Sequence, residues 1–217
     1  DKFPGIIKIG CNHHVFSELE LDYYFLGDPQ INSVKSNTFA KNPDAYNEYK
    51  PKIAKLIRVH DNTPNVITVN NNNPVSSALH YSKLATWGTE ERNTYHVDIV
   101  ENYVNPAGSI TLDMIQFAVY AGFKNIICVG NDCGYDQKIN GRRMLNFLDE
   151  IENLENPGHR EVRSTDKRLL RMWQRYYDFI KASALDLNFY TVNPVNLRIF
   201  PEITYEKISE KLAKGQL

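Results

Sequence analysis

Asparagine and aspartate side chains follow several short apolar segments of this chain, where a ligand would meet the end of a strand. The clearest examples are Asn12, Asp28, Asp132 and Asn193. Short amide and carboxylate side chains can hydrogen-bond a ligand with little rotamer entropy to lose. A single turn of this kind is ordinary, because Asn and Asp are common turn residues. The recurrence of Asn or Asp after several apolar segments predicts that a ligand binds where these segments end. The run Asn70–Asn73 is also compatible with a solvated loop.

The segments before these turns predict buried parallel strands. Their apolar runs are too continuous for one face to lie in water. The predicted strands are Ile6–Ile9, Tyr23–Leu26, Val66–Val69, Asn125–Val129 and Phe189–Val192. In open α/β sheets, ligands bind beyond the carboxyl ends of the strands. We therefore expect a three-layer, Rossmann-like α/β domain over residues 1–217, with a mainly parallel sheet and helices on both faces.

The helices of this domain are predicted from apolar residues at helical spacing. One helix precedes Asn125–Val129 and is closed by Gly122, where a positive φ costs little. A second begins near Thr165, a third covers Ser76–Trp87, and a short one lies in the tail Tyr205–Leu217. The apolar stripe predicted for the first helix comprises Ile110, Met114, Ile115, Phe117, Ala118 and Ala121; that of the second comprises Leu169, Leu170, Trp173, Tyr176, Tyr177 and Ile180. Tyr95–Val100 is predicted as a further strand.

Residues 136–164 are predicted to form a lid over the site. Much of this connection lacks a strong secondary-structure signal, and long connections of that kind often cover active sites. A solvated charged segment is the alternative interpretation. A lid that carries Arg142, Arg143, His159 and Arg160 would suit an anionic ligand.

Composition narrows the function classes. The chain has 217 residues and a net charge of −1, which argues against a general nucleic-acid binder. No apolar stretch approaches the ~20 residues that span a bilayer. Three cysteines without metal-ligand spacing predict reduced thiols and a cytoplasmic location. The abundant tyrosine and phenylalanine leave material for a homo-oligomer interface.

Motifs for metal or cofactor binding are missing from the sequence. There is no Walker phosphate loop, no GxGxxG motif and no GxSxG elbow. His13 and His14 are adjacent, so on a strand they would point to opposite faces. Asp28 and Asp132 are isolated carboxylates rather than an Asp-x-Asp pair. We therefore expect no metal and no cofactor.

Several segments together resemble a known group of enzymes. AGFKNIICVGNDCGY, preceded by Asn105–Ser109, resembles the central motif of bacterial sialyltransferases of glycosyltransferase family 42. It equally resembles the broader family around motility-associated flagellin glycosyltransferases and archaeal hydroxymethylpterin pyrophosphokinases. IKIGCNHHVF and YYFLGDP resemble the strands that approach the nucleotide, and Pro157-Gly158-His159 resembles the segment with the catalytic histidine. LNFYTVNPVNLRIFPEI resembles the C-terminal strand and tail.

The resemblance implies roles on the nucleotide side of the site. Asn12 and Asp28 would lie near the base or ribose. Asn105, Gly108 and Ser109 would belong to the donor site, with Ser109 and the helix it opens receiving a phosphate or carboxylate, since a helix N-terminus favours anions.

It also implies roles for the reacting groups. His159 would be the general base for the acceptor hydroxyl, and Tyr135 would donate a hydrogen bond to the departing phosphate. Asp132 would hold the turn or position the donor. Arg142 or Arg143 would replace, by charge, a second tyrosine that the sialyltransferases have and this chain lacks.

The chain departs from the family pattern at other places as well. The family's first strand and glycine-rich loop have no counterpart, so we expect a fragment or a trimmed chain that begins after them. Asp28 stands where the sialyltransferases tend to have Asn.

Three functions remain as hypotheses. The first is a metal-independent glycosyltransferase that uses a nucleotide sugar and a glycan or protein acceptor in surface glycan synthesis. The second is a non-catalytic nucleotide-binding module of the same fold. The third is a pterin-type pyrophosphokinase, which would need Mg²⁺ on oxygen ligands. For that ion the sequence offers Asp28, Asp132 and Asp136.

Overall fold

The structure is a computed structural model that describes residues 3, 5–11, 21–26, 66–68, 79–80, 94–102, 104–105, 109–131, 138–139, 142–143, 167–194 and 197–217. The chain divides into two compact units. The first comprises Asp1–Ser82 and Leu145–His159, and the second comprises Lys83–Met144 and Arg160–Leu217.

The first unit contains a four-stranded parallel sheet. Its strands are β1 (Ile9–Cys11), β2 (Tyr23–Leu26), β3 (Val66–Thr68) and β4 (Leu79–His80), and they lie side by side in that order. In β2, Tyr24 and Phe25 are both buried, as expected for an inner strand of a covered parallel sheet. The bounds predicted for β2 are confirmed, whereas β1 begins later than the predicted Ile6–Ile9.

Hydrogen bonds join the residues that directly precede β1 and β2. The Lys8 amide donates to Asp22 Oδ2 at 2.7 Å, and the amide of Asp22 donates to the Lys8 carbonyl at 2.9 Å. These bonds fix the level at which the two strands begin, so Ile9 pairs with Tyr23.

The helix predicted for Ser76–Trp87 is wrong at its centre. Leu79 and His80 form β4 and pair in parallel with Ile67 and Thr68 of β3. A short apolar run fits a helix or a strand equally well, and hydrogen bonding to a neighbouring strand decides between them.

The strand predicted for Tyr95–Val100 is also wrong. Residues 99–101 form a turn, and Asp98 Oδ1 accepts hydrogen bonds from the amides of Val100 and Glu101 at 3.0 and 3.1 Å. An aspartate that binds the amides ahead of it competes with strand pairing.

The second unit is built on a parallel strand pair and three helices within the part of the chain that the structure describes. In chain order the elements are α1 (Ile110–Tyr120), β5 (Asn125–Val129), β6 (Lys138–Ile139), β7 (Arg142–Arg143), α2 (Lys167–Ala182), β8 (Asn188–Val192) and α3 (Tyr205–Ala213). β5 and β8 pair in parallel along their whole length, from Asn125 opposite Asn188 to Val129 opposite Val192.

Helix α1 ends as the sequence predicts. Gly122 has a φ of 84°, and its amide donates to the carbonyl of Val119 at 3.1 Å. The amide of Phe123 donates to the carbonyl of Ala118 at 3.1 Å. These two bonds are those of a Schellman motif, which turns the chain sharply toward β5.

The buried face of α1 is only partly the predicted one. Ile115 and Ala118 are buried, whereas Ala121 is exposed. Two polar side chains share the buried face, because Asp113 and Gln116 are 0% and 1% exposed. Their burial could not be read from an apolar pattern, since each polar group needs a partner that only the folded chain supplies.

Aromatic side chains join α2 to β8 and to the segment that follows β8. Trp173 is 1% exposed and meets Phe200 edge-on, with ring centroids 5.8 Å apart. Phe200 also stacks on Phe189 at 5.1 Å and meets the edge of Tyr177 at 5.1 Å. Such pairs stabilise beyond the area they bury, so this cluster fixes α2 against β8.

Tyr95 links the irregular segment before α1 to helix α2. Its hydroxyl donates to the carbonyl of Met172 at 3.2 Å, and its ring meets the edge of Tyr176 at 5.1 Å. Burial raises the pKa of Tyr95 to about 12, against a smaller opposing effect of Arg175. The neutral phenol is therefore part of the folded state.

Helix α3 is held through its first turn and one buried side chain. Thr204 is the N-cap, and its hydroxyl accepts from the Lys207 amide at 3.3 Å. Ile208 is buried. Helix α3 ends at Ala213, within the predicted tail segment.

Of the helices in the described ranges, none combines the length and the apolar character needed to cross a membrane.

Replacing Tyr95 with Phe removes one buried hydrogen bond, so we expect the free energy of unfolding to fall by about 1 kcal/mol at neutral pH. Because the pKa of Tyr95 is raised, its stabilising contribution is complete below the unfolded pKa of about 10. That contribution is lost as the pH rises through about 12. Tyr95→Phe should therefore lose less stability than the parent in alkali.

Urea unfolding at about pH 7 and about pH 11 measures both effects. Tyr120→Phe is the matched control, because Tyr120 is exposed. Equal alkaline losses in Tyr95→Phe and the parent would contradict the assignment.

Candidate functional site

The carboxyl edge of the β5–β8 pair brings two polar turns together. Val129 and Val192 are opposite each other in the register, so the residues that follow them leave the sheet at the same level. Gly130 and Asn131 follow β5, and Asn193 follows β8. The sequence predicted both turns, and the pairing places them at one sheet edge.

Left-handed backbone conformations make both turns abrupt. Gly130 has a φ of 71° and Asn193 a φ of 48°. Glycine adopts this region without strain, and asparagine tolerates it better than most residues. Gly130 and Asn193 are exposed, while Asn131 is half-buried. The edge therefore presents backbone and amide groups to solvent rather than burying them in the core.

Among the described residues of this edge, Asn131 and Asn193 offer uncharged hydrogen-bonding groups. An asparagine side chain offers both a carbonyl acceptor and an amide donor. Such groups match the hydroxyls of a ribose or the edge of a base. A phosphate would need cations or a cluster of N–H donors instead.

Ser109 is the N-cap of α1, as predicted. Its backbone is extended, with φ −139° and ψ 124°, and its side chain makes no capping hydrogen bond. Its carbonyl accepts from the Leu112 amide at 3.1 Å. The start of α1 carries the partial positive charge of a helix N-terminus, which favours an anion.

Asn105 is 1% exposed and belongs to a buried amide network. Its side-chain nitrogen donates to the carbonyl of Thr94 at 3.0 Å. Its backbone amide donates to Gln116 Oε1 at 3.0 Å, and its carbonyl accepts from Gln116 Nε2 at 2.7 Å. These contacts give Asn105 a structural role, and its predicted contact with a donor stays a prediction.

Arg142 and Arg143 form β7, which pairs antiparallel with β6. Ile139 is opposite Arg142, so only Asn140 and Gly141 lie between the paired strands. Asn-Gly is a strong sequence signal for a two-residue hairpin loop, and the sequence interpretation missed it. The predicted lid, residues 136–164, thus contains a hairpin that bears both arginines.

The remaining predicted site residues lie outside the described ranges. They are Asn12, Asp28, Gly108, Asp132, Tyr135 and His159. Their roles stay predictions that follow from the family resemblance.

Gln116 is the polar residue of this region that sequence reasoning missed. The signal was present, because Gln116 lies between Ile115 and Phe117 on a helix otherwise rich in apolar side chains. A polar side chain on a buried helix face needs hydrogen-bond partners, and Gln116 finds them on Asn105 and Leu112.

No protein-family model matches this chain, and neither a curated protein nor a solved structure gives a match.

Replacing Gly130 with Ala tests the left-handed turn at the strand edge. A Cβ at Gly130 would have no atom within 4 Å, so the substitution brings backbone strain without a clash. We expect the free energy of unfolding to fall by roughly 1–2 kcal/mol. Gly130→Asn should cost less, since asparagine visits this conformation more readily.

Denaturant unfolding of the two variants and the parent measures the difference. If Gly130→Ala were as stable as the parent, the turn would not require a positive φ.

Proposed function

We propose that this chain is a metal-independent glycosyltransferase that uses a nucleotide-activated sugar and resembles the bacterial sialyltransferases. We propose with it a three-layer, Rossmann-like α/β fold. The observation that carries the proposal is the parallel β5–β8 pair, whose carboxyl edge carries Gly130, Asn131 and Asn193. Ligands of open α/β sheets bind at such an edge.

Element lengths support a site shared by this edge and the N-terminus of α1. Helix α1 has 11 residues and β5 has 5, so each is ~16 Å long. Only residues 121–124 connect them. A helix that returns antiparallel to its strand would then bring Ser109 to the level of Gly130.

The two parts of such a site suit the two parts of a nucleotide sugar. Asn131 and Asn193 offer neutral donors and acceptors for hydroxyl and base groups. The amides at the start of α1 suit a phosphate or a sugar carboxylate. The family resemblance assigns Asn12 and Asp28 to the base or ribose, and it assigns Arg142 or Arg143 to positive charge near the phosphate.

The proposed reaction transfers a glycosyl group to a hydroxyl of a glycan or a protein. The acceptor oxygen forms a bond to the anomeric carbon while the bond from that carbon to the phosphate oxygen breaks. His159 takes the acceptor proton as general base, and Tyr135 donates a hydrogen bond to the departing phosphate. Asp132 holds the turn after β5 or positions the donor.

The proposal is metal-independent because the sequence lacks the paired aspartates that hold a divalent ion on a sugar diphosphate. The pyrophosphokinase hypothesis instead needs Mg²⁺ on Asp28, Asp132 and Asp136; Asp28 follows one predicted strand, and Asp132 and Asp136 follow another. A non-catalytic nucleotide-binding module is the remaining alternative, and both alternatives become outcomes of the same experiment.

A thermal-shift screen against CMP, UDP, GDP, ADP and their sugar conjugates, with Mg²⁺ or with a chelator, tests the proposal. Ligand that binds only the folded state adds ~2.7 kcal/mol at one hundred times its Kd. We expect one nucleotide to raise the Tm equally in chelator. A shift that needs Mg²⁺ would favour the kinase, and binding without transfer or hydrolysis of the sugar would favour the module.

The variant Asn193→Gly tests whether the nucleotide binds at the carboxyl edge of β5 and β8. Glycine keeps the positive φ of 48° and removes the side-chain amide, so we expect the nucleotide-dependent Tm shift to shrink by at least half. Ala184→Gly is the matched control, because Ala184 also has a positive φ, 53°, but follows α2. Equal shifts in both variants and the parent would remove Asn193 from the site.

A further inference from the structure

The segment that follows β8 returns to the sheet and pairs with β8 itself. Thr191 pairs in parallel with Glu202. The amide of Thr191 donates to the Pro201 carbonyl at 3.0 Å, and the amide of Ile203 donates to the Thr191 carbonyl at 2.9 Å. Because the pairing is parallel, residues 201–203 run in the same direction as β8, toward its carboxyl end.

Helix α3 therefore begins at the carboxyl edge of the β5–β8 pair. The register of Thr191 with Glu202 brings Thr204 to the level of Asn193. The backbone of Thr204 is still extended, with φ −90° and ψ 161°, and neighbouring strands lie about 5 Å apart. Tyr205, the first residue of α3, thus follows a residue that lies beside Asn193.

Helix α3 then runs back along the sheet instead of away from it. Lys211 Nζ lies 5.8 Å from the centroid of the Tyr190 ring. A helix that continued outward from Thr204 would place the Lys211 backbone roughly 20 Å from the level of Tyr190, which is beyond the reach of a lysine side chain. The first turn of α3 is consequently the part of the helix nearest to the carboxyl edge.

The sheet face that α3 adjoins is exposed at the end of β5. Val129 and Val192 are opposite each other in parallel register, so they share a face with Tyr190, two residues before Val192. Val192 is 3% exposed, whereas Val129 is 57% and Tyr205 44% exposed. The carboxyl edge therefore offers an aliphatic and an aromatic side chain in addition to the amide of Asn193.

The charge at the start of α3 favours an uncharged part of a ligand. Hydrogen bonds from its own backbone amide and from the Thr204 side chain hold the pKa of the Glu206 carboxyl below its usual value. Thr204 Oγ1 also accepts from the Lys207 amide at 3.3 Å. The first turn of α3 thus supplies its own carboxylate and cap, and a neutral ring suits this position better than a phosphate.

We propose that Tyr205 stacks on the nucleobase of the bound nucleotide, beside the amide of Asn193, which bonds the edge of the same base. The inference rests on the proposed function and adds to it the side of the site where the base lies, next to β8 and α3. Every nucleobase has a π-face, and stacking on an aromatic side chain is a common source of affinity for bases.

Three variants at position 205 separate the aromatic ring from the other properties of the side chain. Tyr205→Phe keeps the ring and removes the hydroxyl, Tyr205→Leu keeps apolar surface without a ring, and Tyr205→Ala removes both. Because Tyr205 is exposed, each variant should unfold near the parent Tm. Tyr120→Ala is the matched control, since Tyr120 is 43% exposed and ends α1, before the amino end of β5.

The measurement is the Kd of CMP, UDP, GDP and ADP for the parent and for each variant. For every nucleotide that the parent binds, we expect Tyr205→Leu and Tyr205→Ala to raise the Kd about tenfold. Tyr205→Phe should stay within about twofold of the parent, because it keeps the stacking ring. Tyr120→Ala should leave the Kd unchanged, because it alters the opposite end of the strand.

The outcomes separate this inference from the proposed function. A parent chain that binds a nucleotide, with Tyr205→Leu or Tyr205→Ala binding it equally well, overturns only the stacking role. Equal weakening in Tyr205→Phe and Tyr205→Ala also overturns it, because the hydroxyl and not the ring would then bind the ligand. An equal loss in Tyr120→Ala overturns it as well, because the effect would not depend on the carboxyl edge.

A parent chain that binds none of the four nucleotides overturns the proposed function and the role of Tyr205 together.

Discussion

The parallel pairing of β5 with β8 is the constraint on which the candidate site depends. The two strands are 5 residues long and in register from their first pair to their last. They end together, so their turns share one level of the sheet. A shift of one residue would move one turn away from the other and reverse the faces of every side chain. The aromatic contacts of Phe189 with Phe200 and Tyr177 oppose such a shift, because they hold β8 against α2.

Buried hydrogen bonds inside the second unit fix the positions of its segments more narrowly than apolar packing does. Gln116 and Asn105 bind each other through the backbone of Asn105, and Tyr95 binds the Met172 carbonyl. Apolar contacts tolerate small displacements, whereas buried hydrogen bonds lose most of their value outside a narrow range of distance and angle. Fixed polar contacts of this kind are what a site for a charged or hydrogen-bonding ligand requires.

The bounds of the helices and strands were predicted best where a residue in the sequence itself marks the end of an element. Gly122 ended α1 at the predicted place, and α3 begins at Tyr205, where the predicted tail segment begins. The predictions were wrong where tertiary pairing decided the structure. Leu79 joined a sheet through β3, and the aspartate at 98 bound the amides ahead of it instead of allowing a strand. Neither outcome follows from apolar spacing.

The sequence by itself determined the bounds of β2 and β5, the end of α1 and the polar turns after β5 and β8. These features depend on neighbours along the chain: continuous apolar runs, glycine at positive φ, and asparagine in turns. Only the tertiary structure decided that Gly130 and Asn193 share an edge, and that Gln116 holds Asn105. Register and buried hydrogen bonds join residues distant in sequence, so each is fixed only when both partners are in place.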